Sequence, residues 1–312
     1  MLEPSQLHVF TVRSNPLHWT APHRNWLRFA QSMVDSGVTL TVVECAYGEE
    51  EHRCALDFVR HIPVRAKTRV WNKENLLNLA VQRTPEAKYI AWIDADVIFR
   101  RDDWPMATLH ALQHYDVVQP WSDAYDLGPN DQHIAHHRSF CHQFFYRQPM
   151  VATDRPYWQG DGGPNIYPHS GYAWAMTRQA FDWVGGLFEL GGMGSGDHHM
   201  ALALIGEANA SVPGGVSEAY RREVKRWEGR ALRHINRNIG YVPGTIEHLF
   251  HGRKNDRGYQ SRWDMFVEHQ FDPLEDLKRN SHGVLEFAAN KPELRHDFDL
   301  YLHSRNEDFN AL

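Results

Sequence analysis

Two carboxylates, Asp94 and Asp96, stand directly behind the apolar run YIAWI (89–93) in the stretch YIAWIDADVIFRRDDW. Residues two apart on an extended segment point the same way, so this spacing aims both acids into one site. Paired hard oxygen ligands suit a divalent cation, Mg²⁺ or Mn²⁺, that also touches phosphate oxygens. A DxD is a short pattern that two solvated loop acids would also satisfy, and its place behind an apolar strand is what favours the metal. Further along, GGMGSGDHHMALALIG (191–206) delivers Asp197 at the start of an apolar helix. There it can cap the helix or serve as a general base, and the two roles can coexist. GTIEHLFHGRKNDRGYQSRW (244–263) offers His248 and His251 beside Arg253, Lys254 and Arg257. With 21 histidines in the chain, residue type alone marks none of them as a ligand.

These residues need a frame, and the first half of the chain supplies one. LHVFTV (7–12) reads as a strand. In HRNWLRFAQSMVDSG, Trp26, Phe29, Ala30, Met33 and Val34 recur at helical spacing, with Gly37 as a natural stop. VTLTVVE (38–44) reads as a second buried strand, NKENLLNLAVQR (72–83) as a helix, and 88–93 as the next strand. Such a βαβ series predicts an α/β fold, a mostly parallel sheet flanked by helices, with ligands beyond the carboxyl ends of the strands. Residues 120–168 are crowded with Pro, Gly, aromatics and His without clear periodicity, and are expected to form an irregular, substrate-facing lid. Order resumes at 169–187 as a strand and short helix, and 216–236 reads as a charged helix, largely solvent-facing.

Composition narrows the function. A chain of 312 residues, 42% hydrophobic, can bury a full core as one large or two small domains. A net charge of −6 argues against a broadly basic surface for nucleic acid, although a local basic groove stays open. Cys45, Cys54 and Cys141 are an odd set without CxxC spacing, which suggests neither a disulfide framework nor a thiolate zinc site. A reducing, cytoplasmic setting is the expectation. The start MLEPSQLHVF has no basic segment followed by an apolar one, and no apolar stretch reaches the roughly 18 residues that would span a bilayer.

The order of these parts resembles the metal-dependent, nucleotide-sugar glycosyltransferases of the GT-A type. The matching stretches are HVFTVR, WNKENLLNLAV, YIAWIDADVIF, HSGYAWAMTRQAFDWVGGLFE, GGMGSGDHH and EHLFHGRKNDRGY, spanning residues 7–263. The resemblance implies a GT-A domain over 1–263, with a nucleotide half at about 1–119 and an acceptor half at about 120–263. Residues 264–312 would be a C-terminal helical extension. It implies a hexosyltransferase-like enzyme that moves a sugar from a nucleoside-diphosphate sugar to an acceptor hydroxyl. A base opposite the leaving group predicts inversion, while retaining enzymes share the same fold and metal site, so the stereochemistry stays open. Asp96, helped by Asp94, would hold Mn²⁺ or Mg²⁺ against the diphosphate, with His251 preferred over His248 to complete the shell. Arg253, Lys254 and Arg257 would touch phosphate. Thr11, Arg13, Glu44, Asn72 and Lys73 would meet the nucleoside half. Asp197 would be the base, and Trp158, Asp161, Tyr167 and Trp174 would face the acceptor. Many relatives carry a paired acid such as Glu-Asp, whereas here Gly196 precedes Asp197. The acceptor is open: a glycan, a lipid-linked sugar, a protein or a hydroxymethylated base in DNA.

Two other classes compete. HIAHH (133–137), DHH (197–199) and HLFH (248–251) could build a metal hydrolase, although none is the HExxH zinc arrangement. A non-catalytic sugar-nucleotide or glycan-binding module would keep the pocket without turnover.

Overall fold

The run LHVFTVRS becomes β1 (Leu7–Ser14), buried on both faces over most of its length, which places it inside a sheet rather than at an edge. In the computed structural model, which describes residues 2–151, 165–259 and 261–310 (side chains of 165–167 excepted), it leads into the expected βαβ series. The series runs through α1 (Thr20–Asp35), β2 (Thr39–Tyr47), β3 (Arg60–Ala66), α2 (Lys73–Gln82) and β4 (Tyr89–Ile93). Sequence periodicity missed β3, a half-polar strand that carries Pro63 and lies at the sheet edge, where a missing N–H is tolerated.

Next come β5 (Val97–Phe99), α3 (Trp104–Ala111), β6 (Val117–Gln119), β7 (Asp123–Leu127), β8 (His133–Ser139) and α4 (Phe140–Phe145). Then follow β9 (Asn165–His169), β10 (Ala173–Thr177), α5 (Arg178–Val184), α6 (Gly196–Ile205) and α7 (Glu218–His234). The chain closes with β11 (Ile239–Tyr241), β12 (Thr245–His248), α8 (Asp264–Glu268), β13 (Leu277–Arg279), β14 (Leu285–Phe287) and α9 (Pro292–Ser304). Seven strands form one sheet in the order β11-β6-β10-β4-β1-β2-β3. All its pairings are parallel except those of β10, which runs against β4 and β6. The architecture is a mixed α/β fold with a mostly parallel sheet flanked by helices.

Alternation along the strands builds two apolar layers. Val9, Val42, Ala91 and Ile93 pack on the side of Trp26, Phe29 and Met33 from α1. Phe10, Val43, Ile90 and Trp92 pack on the other, with Leu76 and Leu77 of α2 and the buried faces of α6 and α7.

Three expectations need correcting. The stretch 120–168, read as irregular, supplies β7, β8 and β9 to a five-stranded second sheet, β5-β12-β7-β8-β9. DAYDL and HIAHHRS hid their strand character because their inward positions carry Asp126 and His137 rather than apolar side chains, so hydrophobic alternation is absent. The charged segment 216–236 is not merely solvent-facing: α7 buries Tyr220, Val224, Trp227 and Ala231. The tail is not only helical, since β13 and β14 form a hairpin, and Phe287, Leu294 and Phe298 join the same core as the main sheet. Among the described residues, no helix is long and apolar enough to cross a membrane.

Candidate active site

Parallel β1, β2 and β4 bring their carboxyl ends together, and β4 hands the chain to Asp94 and Asp96. The second sheet then sets two histidines against Asp96. In its ladders His248 is the register partner of Val97 on one side and of Asp126 on the other, and Leu249 N donates to Asp96 O at 2.8 Å. His251 follows three residues later. Its Nε2 lies 2.9 Å from Asp96 Oδ2, and His248 Nε2 lies 3.6 Å from the same oxygen.

Each imidazole is fixed from behind by a carboxylate. His248 Nδ1 donates to Asp126 Oδ1 at 2.9 Å, and His251 Nδ1 to Glu307 Oε2 at 3.2 Å. With Nδ1 committed, both rings turn Nε2 toward Asp96, the arrangement that orients metal-binding histidines. Ligand atoms of Asp96, His248 and His251 lie within 4.8 Å of one another. Asp96 Oδ1 is buried without a hydrogen-bond partner among the described residues. A buried carboxylate oxygen left unsatisfied beside two oriented imidazoles fits a divalent cation. Arg257 Nη2, 3.0 Å from His251 Nε2, is the contact such a cation would displace.

Charge around the triad is tightly coupled. Burial would raise the Asp96 carboxyl, but the charge of His248 and hydrogen bonds from His248 and His251 hold it well below the usual range. Burial opposes protonation of His248, yet Asp96 and Asp126 outweigh it and carry the imidazole up to about 9. Asp126 is a hub. It accepts from His137 Nε2 and Tyr172 Oη at 2.7 Å each and pairs with Lys254.

The triad, His137, Tyr172 and Lys254 line one cavity of ≈ 300 Å³ together with Lys73, Asp94, Asp197 and Arg305. Asp197 is the second residue of α6, behind a left-handed Ser195 at the N-cap, so it is not itself the cap. Its Oδ1 accepts from His198 N at 2.9 Å. Burial raises its carboxyl above the ordinary range against the pull of Lys73, and Asp94 adds to the rise. Gly171 lets it approach: a Cβ there would lie 3.1 Å from Asp197 Oδ2 and 2.9 Å from His169 Cε1.

Several other expected residues also reach this cavity. Thr11 and Arg13 line it, Thr11 Oγ1 donating to Ile93 O at 2.7 Å and Arg13 Nε buried without a partner among the described residues. Asn72 stands at the N-cap of α2 without a side-chain cap bond, and Lys73 opens the helix paired to Asp94. That pairing turns Asp94 to the lysine and leaves it outside the group of three candidate ligands. Lys254 and Arg257 also line the cavity.

Others lie elsewhere. The Glu44 carboxylate accepts from Arg53 N and Cys54 N at 2.7 and 3.0 Å and bonds His61, and it borders a second cavity beside the first. Arg253 is drawn outward, paired with Asp256, its guanidinium 4.1 Å from the Phe309 ring. Trp174 is core: it is 3% exposed, stacks on Trp92 and donates to Ser170 O. Trp158 and Asp161 lie outside the described residues, as does the side chain of Tyr167. Of the histidine clusters, His133 pairs with Glu247 and His136 with Asp123, while His199 is bound between Ser211 and Tyr220.

Sequence reasoning missed Asp126, His169, Tyr172, Arg305 and Glu307, and named His137 only within the HIAHH cluster of the alternative hydrolase; all of them line or support the cavity. Asp126 and His137 sit in a stretch without periodicity, and His169 and Tyr172 open the ordered stretch at 169 without a spacing that marks chemistry. Arg305 and Glu307 come from a tail with no recognisable motif.

No protein-family model matches the chain, and no curated protein is similar to it in sequence. Among solved structures, a mutant Drosophila β-1,4-galactosyltransferase 7 in complex with manganese, UDP-Gal and xylobiose is similar at TM-score 0.41 and 10% identity, over 92% of this chain and 97% of that one. A predicted nucleotide-diphospho-sugar transferase from Desulfovibrio desulfuricans is similar at TM-score 0.33 and 9% identity, over 85% and 98%. HddC from Yersinia pseudotuberculosis gives TM-score 0.29 and 9% identity, over 55% and 77%. Likeness at this level carries no function across, so function has to be argued from the site itself.

Proposed function

We propose that this chain is a metal-dependent glycosyltransferase that moves a sugar from a nucleoside-diphosphate sugar to an acceptor hydroxyl. One observation carries the reading: the Asp96–His248–His251 triad and the raised carboxyl of Asp197 face a single cavity at the carboxyl ends of parallel strands. A cation held there would neutralise charge on the departing diphosphate. Two imidazoles favour Mn²⁺ over Mg²⁺, which prefers an all-oxygen shell.

The chain's own residues do the rest. Lys254, Arg257 and Arg305 stand around the triad's supports, where fixed cations stabilise an anionic leaving group. Thr11, Arg13, Asn72 and Lys73 offer the walls for the nucleoside and phosphates. Asp197 takes the proton from the acceptor hydroxyl as that oxygen attacks the anomeric carbon. A base on the face opposite the leaving group gives inversion.

The same ligands would also suit zinc in a hydrolase. The cations gathered around the triad favour a diphosphate instead. Incubation with Mn²⁺ and a panel of uridine, guanosine, cytidine and adenosine diphosphate sugars tests the proposal. Release of one nucleoside diphosphate, dependent on Mn²⁺, is expected; no release from any donor, with or without simple sugar acceptors, would overturn it.

A further inference from the structure

Glu74 is a buried acid in this cavity that the mechanism above does not use. It is 5% exposed and lines the cavity, and its carboxyl accepts from its own backbone N–H. Its carboxyl fills the space that a side chain at position 196 would need. A Cβ on Gly196 would lie 2.5 Å from Glu74 Cδ and 2.6 Å from Oε1. An acid from the first turn of α2 therefore stands against the backbone beside Asp197.

The neighbours of Glu74 fix what it can meet. It feels Lys73 on its own helix, Asp197 on α6 and Asp94 at the end of β4, and Tyr220 of α7 is also within its field. Burial raises its carboxyl to about 7, with Lys73 opposing and Asp197 and Asp94 adding to the rise. Near neutrality it can both donate and accept a hydrogen bond, as a sugar hydroxyl can. In the proposed displacement the anomeric carbon lies between the leaving oxygen, on the Asp96 side, and the attacking oxygen, at Asp197. The transferred sugar must occupy the interval, and Glu74 lines the same cavity within the field of both Asp94 and Asp197.

Resting on that reading of the site, we infer that Glu74 binds a hydroxyl of the transferred sugar and helps select which sugar is carried. A carboxyl that lines the cavity with its own backbone N–H as partner still has acceptor capacity that a substrate hydroxyl can use.

The test compares binding of uridine, guanosine, cytidine and adenosine diphosphates with binding of their glucose and mannose conjugates, each with Mn²⁺, by calorimetry on the full chain. Glu74→Ala should weaken the productive sugar conjugate about tenfold, the worth of one such hydrogen bond, while affinity for its bare diphosphate stays unchanged. Glu74→Gln, which keeps a donor and an acceptor, should lose less. Gly196→Ala leaves the acid in the chain but pushes it aside, and should reproduce the sugar-specific loss. Equal weakening of conjugate and diphosphate, or no weakening in either alanine variant, would overturn the role of Glu74 alone. A wild-type chain that binds neither diphosphates nor conjugates would overturn the glycosyltransferase reading with it.

Discussion

At the residue scale, chemistry and binding separate at Asp197. Because proton removal is needed only in the transition state, Asp197→Asn should lower turnover on the order of 10² to 10⁴-fold while nucleotide affinity holds. Near-normal turnover in steady-state kinetics would remove the base. A raised carboxyl must be deprotonated to act, so turnover should climb with pH through that raised value. The triad behaves differently. Asp96 is held ionised, but His248 keeps a proton up to about 9 and must give it up to bind a cation. Mn²⁺ affinity should therefore strengthen as pH rises toward 9, with proton release measurable by calorimetry in buffers of different ionisation heat. Flat affinity between pH 6 and 9 would contradict the coupling. That Asp94, Asp96, Asp197, His248 and His251 gather at one cavity was legible because each sits in a short motif beside an apolar element. Asp126 and Glu307 were not, because an isolated acid takes its role from a partner 122 or 56 residues away.

At the element scale, two kinds of segment differ in what sequence reveals. The strands of the main sheet are buried on both faces and read as apolar runs, so β1, β2 and β4 were found with their connecting helices. The second sheet has polar inward positions and escaped the same reasoning, although it registers His248 against Asp126. The loop after β12 is equally specific. Gly252 has φ +80, and a Cβ there would lie 2.7 Å from Asn306 O and 3.0 Å from Glu307 Cα. Gly252→Ala should strain the backbone and lift Glu307 from His251. The expected result is Mn²⁺ affinity weaker on the order of 10-fold, the usual effect of losing an outer partner of a ligating histidine, together with a lower melting temperature. Unchanged Mn²⁺ affinity in titration calorimetry would show that Glu307 does not support the site.

At the scale of the whole molecule, the site is closed by segments far apart in sequence. Asp308 accepts from Thr20 N and Ala21 N at 2.9 and 2.7 Å, Arg305 lies 4.7 Å over Trp71, and Glu307 holds His251. The tail thus ties the first helix to the triad, a link no local pattern could announce. The central claim is that this assembled cavity holds a divalent cation and a nucleoside diphosphate together. It is tested most directly by thermal unfolding of wild type and Asp96→Asn with uridine, guanosine, cytidine and adenosine diphosphates, each with and without Mn²⁺. A ligand that binds only the folded chain raises its stability by mass action. The account predicts that one nucleoside diphosphate raises the wild-type melting temperature strongly only with Mn²⁺, and that Asp96→Asn loses this synergy. No response to any nucleotide, or the same synergy in Asp96→Asn, would contradict it.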